Sequence, residues 1–185
     1  MKKSFFFACG KKILLRPPIL ADAKGDWYQW FNDPETTQWL IDRFWPNSKA
    51  DQIQFFKYSQ QNKSSLILSV INRKNGKHVG ICSLSSINWV HRFADIALVL
   101  GDKNFRKGTI AIEIIKLLLD IAFLKLNLEN LKGAYVSDNI ITPKLLKIFK
   151  FKTVGKFEDL CLIKNKKNSL ILVQLSKKEY INSYK

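Results

Sequence analysis

The sequence has few cysteines, and their spacing argues against two kinds of architecture. The 185 residues include three cysteines, Cys9, Cys82 and Cys161, with no C-x-x-C pair. An odd, widely spaced set of thiols does not fit a disulfide framework or a zinc site, and it is typical of a reducing compartment. We therefore expect a cytoplasmic protein without a metal, with Cys82 in the core.

Long apolar runs are also absent. No stretch reaches the ~20 apolar residues of a membrane-spanning helix. Near the N-terminus two lysines precede the apolar run Phe5–Ala8, as in a lipoprotein signal. That run ends after about four residues, whereas a signal needs roughly 7–15. We expect neither a membrane span nor a signal peptide.

Acidic residues are scarce. The sequence has 15 of them and 31 basic residues, so the formal net charge is +16. Such an excess suits an anionic partner, such as nucleic acid, a phosphorylated cofactor or a membrane surface. However, no block of five consecutive basic residues marks a nucleic-acid tail, and the lysines are scattered among many Asn and Ile residues. Nucleotide bias in the encoding genome can produce that mixture without selection for binding, so nucleic acid is not an expected partner, and the other anionic partners stay open.

The remaining composition is that of a globular domain. Hydrophobic residues make up 46% and charged residues 25%, with 13 Phe and 5 Trp to fill a core. We find no repeat, linker or low-complexity segment. The length suits one domain. The expectation is a single domain over 1–185, with its core at about 12–176.

Hydrophobic periodicity and turn residues predict a mixed order of elements. They predict strand 13–16, helix 20–31, a short helical turn 37–44, helix 50–60, strands 66–71, 78–84 and 94–100, a helix to 123, strand 131–136, helix 140–149, strands 151–157, 160–164 and 170–175, and a short helix or frayed tail at 176–185.

The central stretch Ala94–Phe123 has the layout of a phosphate-binding strand, loop and helix. A basic, glycine-bearing corner, 106–111, precedes an apolar helix. The first amides of a helix lack partners and carry partial positive charge, so small residues there let an anion approach. An ordinary helix start after a Lys-Gly turn is the alternative.

Five segments follow one another along the chain: Leu15-Arg16-Pro17 with Asp22, Trp30-Phe31-Asn32-Asp33-Pro34-Glu35-Thr36, Gly76-Lys77-His78-Val79-Gly80, 95–123, and Asp138-Asn139-Ile140-Ile141-Thr142-Pro143-Lys144-Leu145-Leu146. In this order they resemble the motifs of the GNAT superfamily of acyl-CoA N-acetyltransferases, in the branch of ribosomal-protein and amino-sugar acetyltransferases. The resemblance runs from Leu15 to Leu175.

This resemblance implies an α+β, three-layer α/β/α fold with a mixed, mostly antiparallel sheet of about seven strands and four main helices. It also implies an enzyme in which a primary amine attacks acetyl-CoA directly. The residues it assigns to the cofactor are Leu98, Val99 and Leu100 on the central strand, the corner residues Arg106, Lys107, Gly108, Thr109, Ile110 and Ala111, and Asn139.

The sequence departs from the family pattern at two kinds of position. Aligned on Glu113, the first glycine of the family's cofactor loop becomes Thr109, and Gly108 stands one place early. The tyrosine that many relatives use as general acid becomes Leu146, and a later glycine pair becomes Ile141 and Lys150.

The family chemistry needs a base and a proton for the departing thiolate. Asp95 stands where the branch commonly has Glu, and His91 is the second candidate because an imidazole suits proton transfer at neutral pH. An ion pair between Asp95 and Arg92 is the structural alternative. Thr142 takes the position of the branch's serine near the thiol, with an N-cap or first-turn hydroxyl of the helix as its structural alternative.

The acceptor is expected between the first helices and the loop before the central strand. Trp30 and Trp89 suit stacking on a sugar or base, and Arg92 and Arg43 suit a diphosphate. An amino sugar, free or nucleotide-linked, of surface-glycan biosynthesis is the first hypothesis. The alternatives are a protein N-terminus, or a weakened module that binds CoA or nucleic acid. A homodimer is left open.

Overall fold

The structure is a computed structural model that describes residues 6–41 and 45–184. Arg43, the end of the expected helical turn 37–44, and the start of the signal-like N-terminus lie outside the described residues. The strands are β1 (Ala8–Cys9), β2 (Ile13–Arg16), β3 (Leu66–Asn72), β4 (His78–Asn88), β5 (Phe93–Leu100), β6 (Asn130–Val136), β7 (Lys152–Ile163) and β8 (Lys166–Ser176). The helices are α1 (Leu20–Lys24), α2 (Trp27–Trp30), α3 (Pro34–Thr37), α4 (Lys49–Gln61), α5 (Gly108–Asp120), α6 (Ile141–Ile148) and α7 (Lys177–Tyr184).

All eight strands form one sheet in the order β1-β2-β3-β4-β5-β6-β8-β7. Only β5 and β6 pair in parallel, and the other neighbours are antiparallel. Helices α1, α2 and α4 cover one face, and α5 to α7 cover the other. The predicted three-layer, mostly antiparallel architecture is confirmed. Within the described ranges, no helix is long and apolar enough to cross a membrane.

Several elements differ from the prediction, among them the helical turn predicted at 37–44, in place of which the described residues form α3 at Pro34–Thr37. The two-residue strand β1 is too short to leave a pattern in the sequence. The two strands predicted at 151–157 and 160–164 are one strand, β7, because the break between them is a bulge between Phe157 and Cys161. The helix predicted at 20–31 is divided, since Gly25 has a non-helical ψ of −147° and ends α1.

The larger core cluster lies between the sheet and α5. Ile114, Leu118 and Leu119 of α5 are fully buried, as the helical periodicity predicts. A turn of π-helix, Ile121–Lys125, extends α5 and buries Phe123. Cys82 is 1% exposed, which confirms its expected place in the core. Burial raises the pKa of its thiol to about 12, so this cysteine is not a nucleophile at neutral pH.

A buried ionic network joins β2, α1, β3 and β4. The Asp22 carboxylate accepts hydrogen bonds from the Arg16 guanidinium at 2.6 and 2.8 Å and from the Ser69 hydroxyl at 2.8 Å. It also accepts from the Ile19 amide at 2.9 Å, which caps α1. The His78 Nδ1 lies 3.6 Å from the same carboxylate. This network fixes the first helix against the sheet edge.

The network shifts two pKa values. Burial alone would raise the pKa of Asp22, but the Arg16 hydrogen bond, the His78 charge and two further donors outweigh it and hold the pKa below the usual 3.8. Burial lowers the pKa of His78 below its usual 6.5, against the opposite effect of the Asp22 charge. His78 is therefore neutral in the folded protein at pH 7.

Gly101 ends β5 directly beneath the indole of Trp30, and a Cβ there would fall inside the ring. We expect Gly101→Ala to destabilise the protein by about 2–3 kcal/mol, because Trp30 is 7% exposed and has no room to move away. The matched control is Gly108→Ala, whose Cβ would meet nothing within 4 Å. Urea unfolding of both variants measures the difference, and equal midpoints would contradict the packing argument.

Candidate active site

The sheet divides between its two parallel strands. Phe93–Asp95 of β5 pair with Asn130–Lys132 of β6, and the strands separate beyond that point. A cavity of about 410 Å³ lies in this fork and extends to the start of α5. Both arms line it, with Ile96–Leu100 on one side and Gly133–Tyr135 on the other. A fork of this kind exposes strand backbone that a bound ligand can pair with.

Alternation along β5 decides which of its amides face the fork. The Gly101 amide donates to the Val79 carbonyl of the β4 side at 3.1 Å, whereas the Arg92 carbonyl accepts from the Glu129 amide, at the start of β6, at 2.6 Å. Successive residues of a strand direct their polar groups to opposite sides. The Leu98 amide therefore faces the fork, and the Val99 amide faces β4.

The start of α5 forms one end of the cavity. Lys107 and Gly108 line it, and no side chain of the described residues caps the first amides of the helix. Those amides and the Lys107 charge make this end attractive to an anion. The geometry therefore suits the phosphate site expected from the sequence. An ordinary helix start would look the same at the backbone, but it would not open onto a cavity.

Arg106 lines the cavity, although its guanidinium is already engaged by protein groups. It hydrogen-bonds Thr36, and it donates to the Leu100 carbonyl at 3.1 Å. It also lies 3.4 Å from the carboxylate of Asp33. Arg106 thus fastens α3 to the end of β5, a contact between residues about seventy positions apart that the sequence did not reveal.

Asn139 and Thr142 meet at the start of α6. Asn139 is 7% exposed, and its side-chain oxygen accepts hydrogen bonds from the Ile141 and Thr142 amides at 3.1 Å each. Its Nδ2 donates to the Thr142 hydroxyl oxygen at 2.8 Å. The capping oxygen therefore belongs to Asn139, and Thr142 is a first-turn residue of α6. Both side chains line the cavity.

The structure brings most of the expected cofactor residues to the cavity and leaves two outside it. The residues that line it are Leu98, Val99, Leu100, Arg106, Lys107, Gly108, Ala111, Asn139 and Thr142. Ile110 is 5% exposed and packs into the core, while Thr109 is exposed beside the cavity. Ile110 and Thr109 lie outside the cavity because successive residues of α5 point in different directions and only one side of the helix faces the fork.

The two base candidates lie apart. Asp95 is the last residue of β5 paired with β6, at the closed end of the fork, and its carboxylate is 2.7 Å from the ammonium of Lys132. Arg92 pairs instead with Glu129 at 3.3 Å, so the structural alternative of an Asp95–Arg92 pair is wrong. His91 is exposed in the turn before β5, where its amide donates to Asn88.

The aromatic residues expected at the acceptor are dispersed. Trp30 is buried against Gly101 and His78, and it does not line the cavity. Trp89 is 52% exposed and lines a separate groove near Phe7. Trp39, another tryptophan of the region expected to hold the acceptor, lines the cavity instead.

Tyr135 and Glu35 also line the cavity, and the sequence analysis assigned a role to neither of them. Tyr135 belongs to a strand that the sequence did predict, but nothing in the pattern revealed that this strand forms one arm of a fork. Within the described ranges, no group of three or more His, Cys, Asp or Glu side chains is placed to hold a metal ion.

Comparison with protein families gives one match. The model described as the acetyltransferase (GNAT) domain matches residues 12–152. This span includes the fork, the α5 corner and α6. No curated protein matches the chain in sequence.

Solved structures share the fold at low sequence identity. A spermidine N-acetyltransferase from Vibrio cholerae, in complex with CoA and spermine, superposes with a TM-score of 0.85 and 16% identity, covering 94% of this chain and 100% of that one. A probable acetyltransferase gives 0.80 and 20%, covering 95% and 98%. A dodecameric structure of the Vibrio cholerae enzyme gives 0.80 and 16%, covering 95% and 100%.

Proposed function

We infer the function from one premise: the chain belongs to the GNAT acetyltransferase family, whose model matches residues 12–152. It is therefore an N-acetyltransferase with acetyl-CoA as its co-substrate, and the sequence-based expectation of that activity is confirmed. The acceptor and the role of each residue are our proposal, and they rest on the geometry of the fork.

The observation that carries the proposal is the cavity between β5 and β6, which runs from unpaired strand backbone to an uncapped helix start. The pantetheine arm, a chain of amides, adds to the free edge of β5 as a strand would. The pyrophosphate then meets the first amides of α5 and the Lys107 ammonium. The thioester lies deeper in the fork, beside Leu98.

The amine attacks the thioester carbonyl carbon, and negative charge develops on the carbonyl oxygen. The Leu98 amide is directed into the fork at the level where we place the thioester, so it stabilises this oxyanion. The amine must lose a proton. Asp95, at the closed end of the fork, and His91, in the turn before β5, remain the two proposed acceptors of that proton. Thr142 donates a hydrogen bond near the sulfur.

The acceptor we propose is an amino sugar linked to a nucleotide. Glu35 is the one carboxylate among the described residues that line the cavity, and Lys103 lies 2.7 Å from it. A polyamine would find no uncompensated negative charge there, whereas the net charge of +16 attracts an anionic nucleotide. The Trp39 ring offers a face for a sugar or a base.

A polyamine is the second candidate, because the Vibrio cholerae structure that shares this fold is a spermidine N-acetyltransferase in complex with spermine. A protein N-terminus is the third, and it requires an open groove for a peptide. A module that binds without turnover is set aside by the family assignment.

The test has two steps. Calorimetry first measures the binding of acetyl-CoA. We expect Lys107→Ala to lower the affinity. Lys57→Ala, on α4, is the control, because it loses the same charge away from the cavity. Release of CoA is then measured with nucleotide-linked amino sugars, spermidine and a short peptide. Turnover that is fastest with the amino sugars supports the acceptor proposal. Faster turnover with spermidine or the peptide would overturn it.

A further inference from the structure

Tyr135 lies on the arm of the fork opposite to Leu98. The β5–β6 register pairs Asp95 with Lys132, and three residues further along the two strands stand Leu98 and Tyr135. Tyr135 is half-buried and lines the cavity. It is the one phenol among the described residues that do so.

The hydroxyl of Tyr135 is free for a ligand. No hydrogen bond within the described part of the chain engages it, in contrast to Tyr180, whose hydroxyl donates to Asp120 at 2.7 Å. A buried or half-buried phenol usually has a partner for its hydroxyl. An unpartnered hydroxyl that lines a ligand cavity is therefore placed to meet a ligand atom.

Helix α6 offers the fork no acid of comparable strength. Leu145 and Leu146 line the cavity from α6, and they carry no proton to donate. Thr142 lines it too, but its hydroxyl oxygen already accepts a hydrogen bond from Asn139, and an aliphatic alcohol is a much weaker acid than a phenol. A departing thiolate is best served by a donor of matched acidity.

We propose that Tyr135 protonates the sulfur of CoA as it leaves. This assignment rests on the function proposed above, with the thioester beside Leu98. The amine nitrogen bonds to the carbonyl carbon, the carbon–sulfur bond breaks with its electron pair going to sulfur, and the Tyr135 proton passes from oxygen to sulfur. The phenolate then regains a proton released by the nitrogen, so the products are the acetamide and CoA thiol.

The first arm of the test needs no acceptor. Calorimetry compares the binding of CoA with that of desulfo-CoA, which lacks the thiol. We expect the wild-type protein to bind CoA about fivefold more tightly, the value of one hydrogen bond, and Tyr135→Phe to bind both alike. If Tyr135→Phe still bound CoA more tightly than desulfo-CoA, the proposed contact between the Tyr135 hydroxyl and the sulfur would be wrong. Because this arm uses no amine, it is independent of the acceptor proposed above.

The second arm measures turnover with whichever amine proves to be the acceptor. We expect Tyr135→Phe to lower kcat about 100-fold while the Kd of acetyl-CoA changes little. The loss of kcat in Tyr135→Phe should be smaller with the selenoester analogue of acetyl-CoA, since a selenolate leaves without protonation.

The control for this arm is Tyr58→Phe, at an exposed tyrosine of α4, which should match the wild type. An unchanged kcat in Tyr135→Phe, or an equal deficit with both donors, would show that Tyr135 is not the acid. If no amino sugar is acetylated and another amine is, the proposed acceptor is wrong. Both arms of the experiment still test the role of Tyr135 in that case.

Discussion

Replacing Leu98 by proline is expected to lower kcat by about 100- to 1,000-fold, the usual effect of removing one oxyanion donor. Proline lacks an amide hydrogen. At Leu98 the lost hydrogen is the one directed into the fork, so the ladder between β4 and β5 keeps its hydrogen bonds. The substitution therefore removes the proposed oxyanion donor and spares the pairing of the sheet.

Leu98→Ala is the matched control, because it loses the same packing against the core but keeps the amide. Steady-state kinetics gives kcat for both variants, and their melting temperatures show whether the two are equally stable. The difference in kcat is then the effect of the missing amide hydrogen. A second comparison is Val99→Pro, which removes a ladder donor and should reduce stability far more. Equal kcat values for Leu98→Pro and Leu98→Ala would rule out the Leu98 amide as the oxyanion donor.

Replacing Asp22 by alanine is expected to cost about 3–5 kcal/mol of stability, the usual penalty for leaving a buried charge without its partner. The Asp22 side chain is 4% exposed and the Arg16 side chain 14%, so water does not replace the lost carboxylate. Ser69 and the Ile19 amide lose an acceptor as well. Denaturant unfolding measures the change.

Asp51→Ala is the control, since Asp51 caps α4 through Ser48 on the exposed surface and should cost much less. The double variant Arg16→Met with Asp22→Leu provides a further check, because removing both charges should recover part of the loss. If Asp22→Ala proved no more harmful than Asp51→Ala, the buried network would not be a major source of stability.

The same network gives the wild-type protein a defined response to acid. The folded pKa of His78 is below 6.5, so the unfolded chain binds the proton more readily and stability falls as the pH drops below about 6.5. The folded pKa of Asp22 is below 3.8, so its contribution is complete above that pH and is lost below it. His78→Gln should remove the first of these two steps in unfolding experiments over pH 4–8.

The sequence by itself determined the family, most of the order of the elements and the basic corner before α5. These features depend on neighbouring residues or on fixed spacings: the apolar face of α5 follows from a 3.6-residue period, and the anion site that we propose there follows from small and basic residues at a helix start. The place of Cys82 in the core followed from its apolar strand. Each inference needs only the local chain.

The tertiary structure decided which groups meet in the site. Nothing local distinguishes the Leu98 amide from that of Val99, because their directions depend on how β5 pairs with its neighbours. Arg106 binds Asp33 across the fold, and Trp30 is buried beneath Gly101 instead of lining the cavity. Tyr135 comes to the fork because β5 and β6 separate after Asp95. Contacts between residues distant in sequence depend on strand register and packing, which periodicity and motifs do not specify.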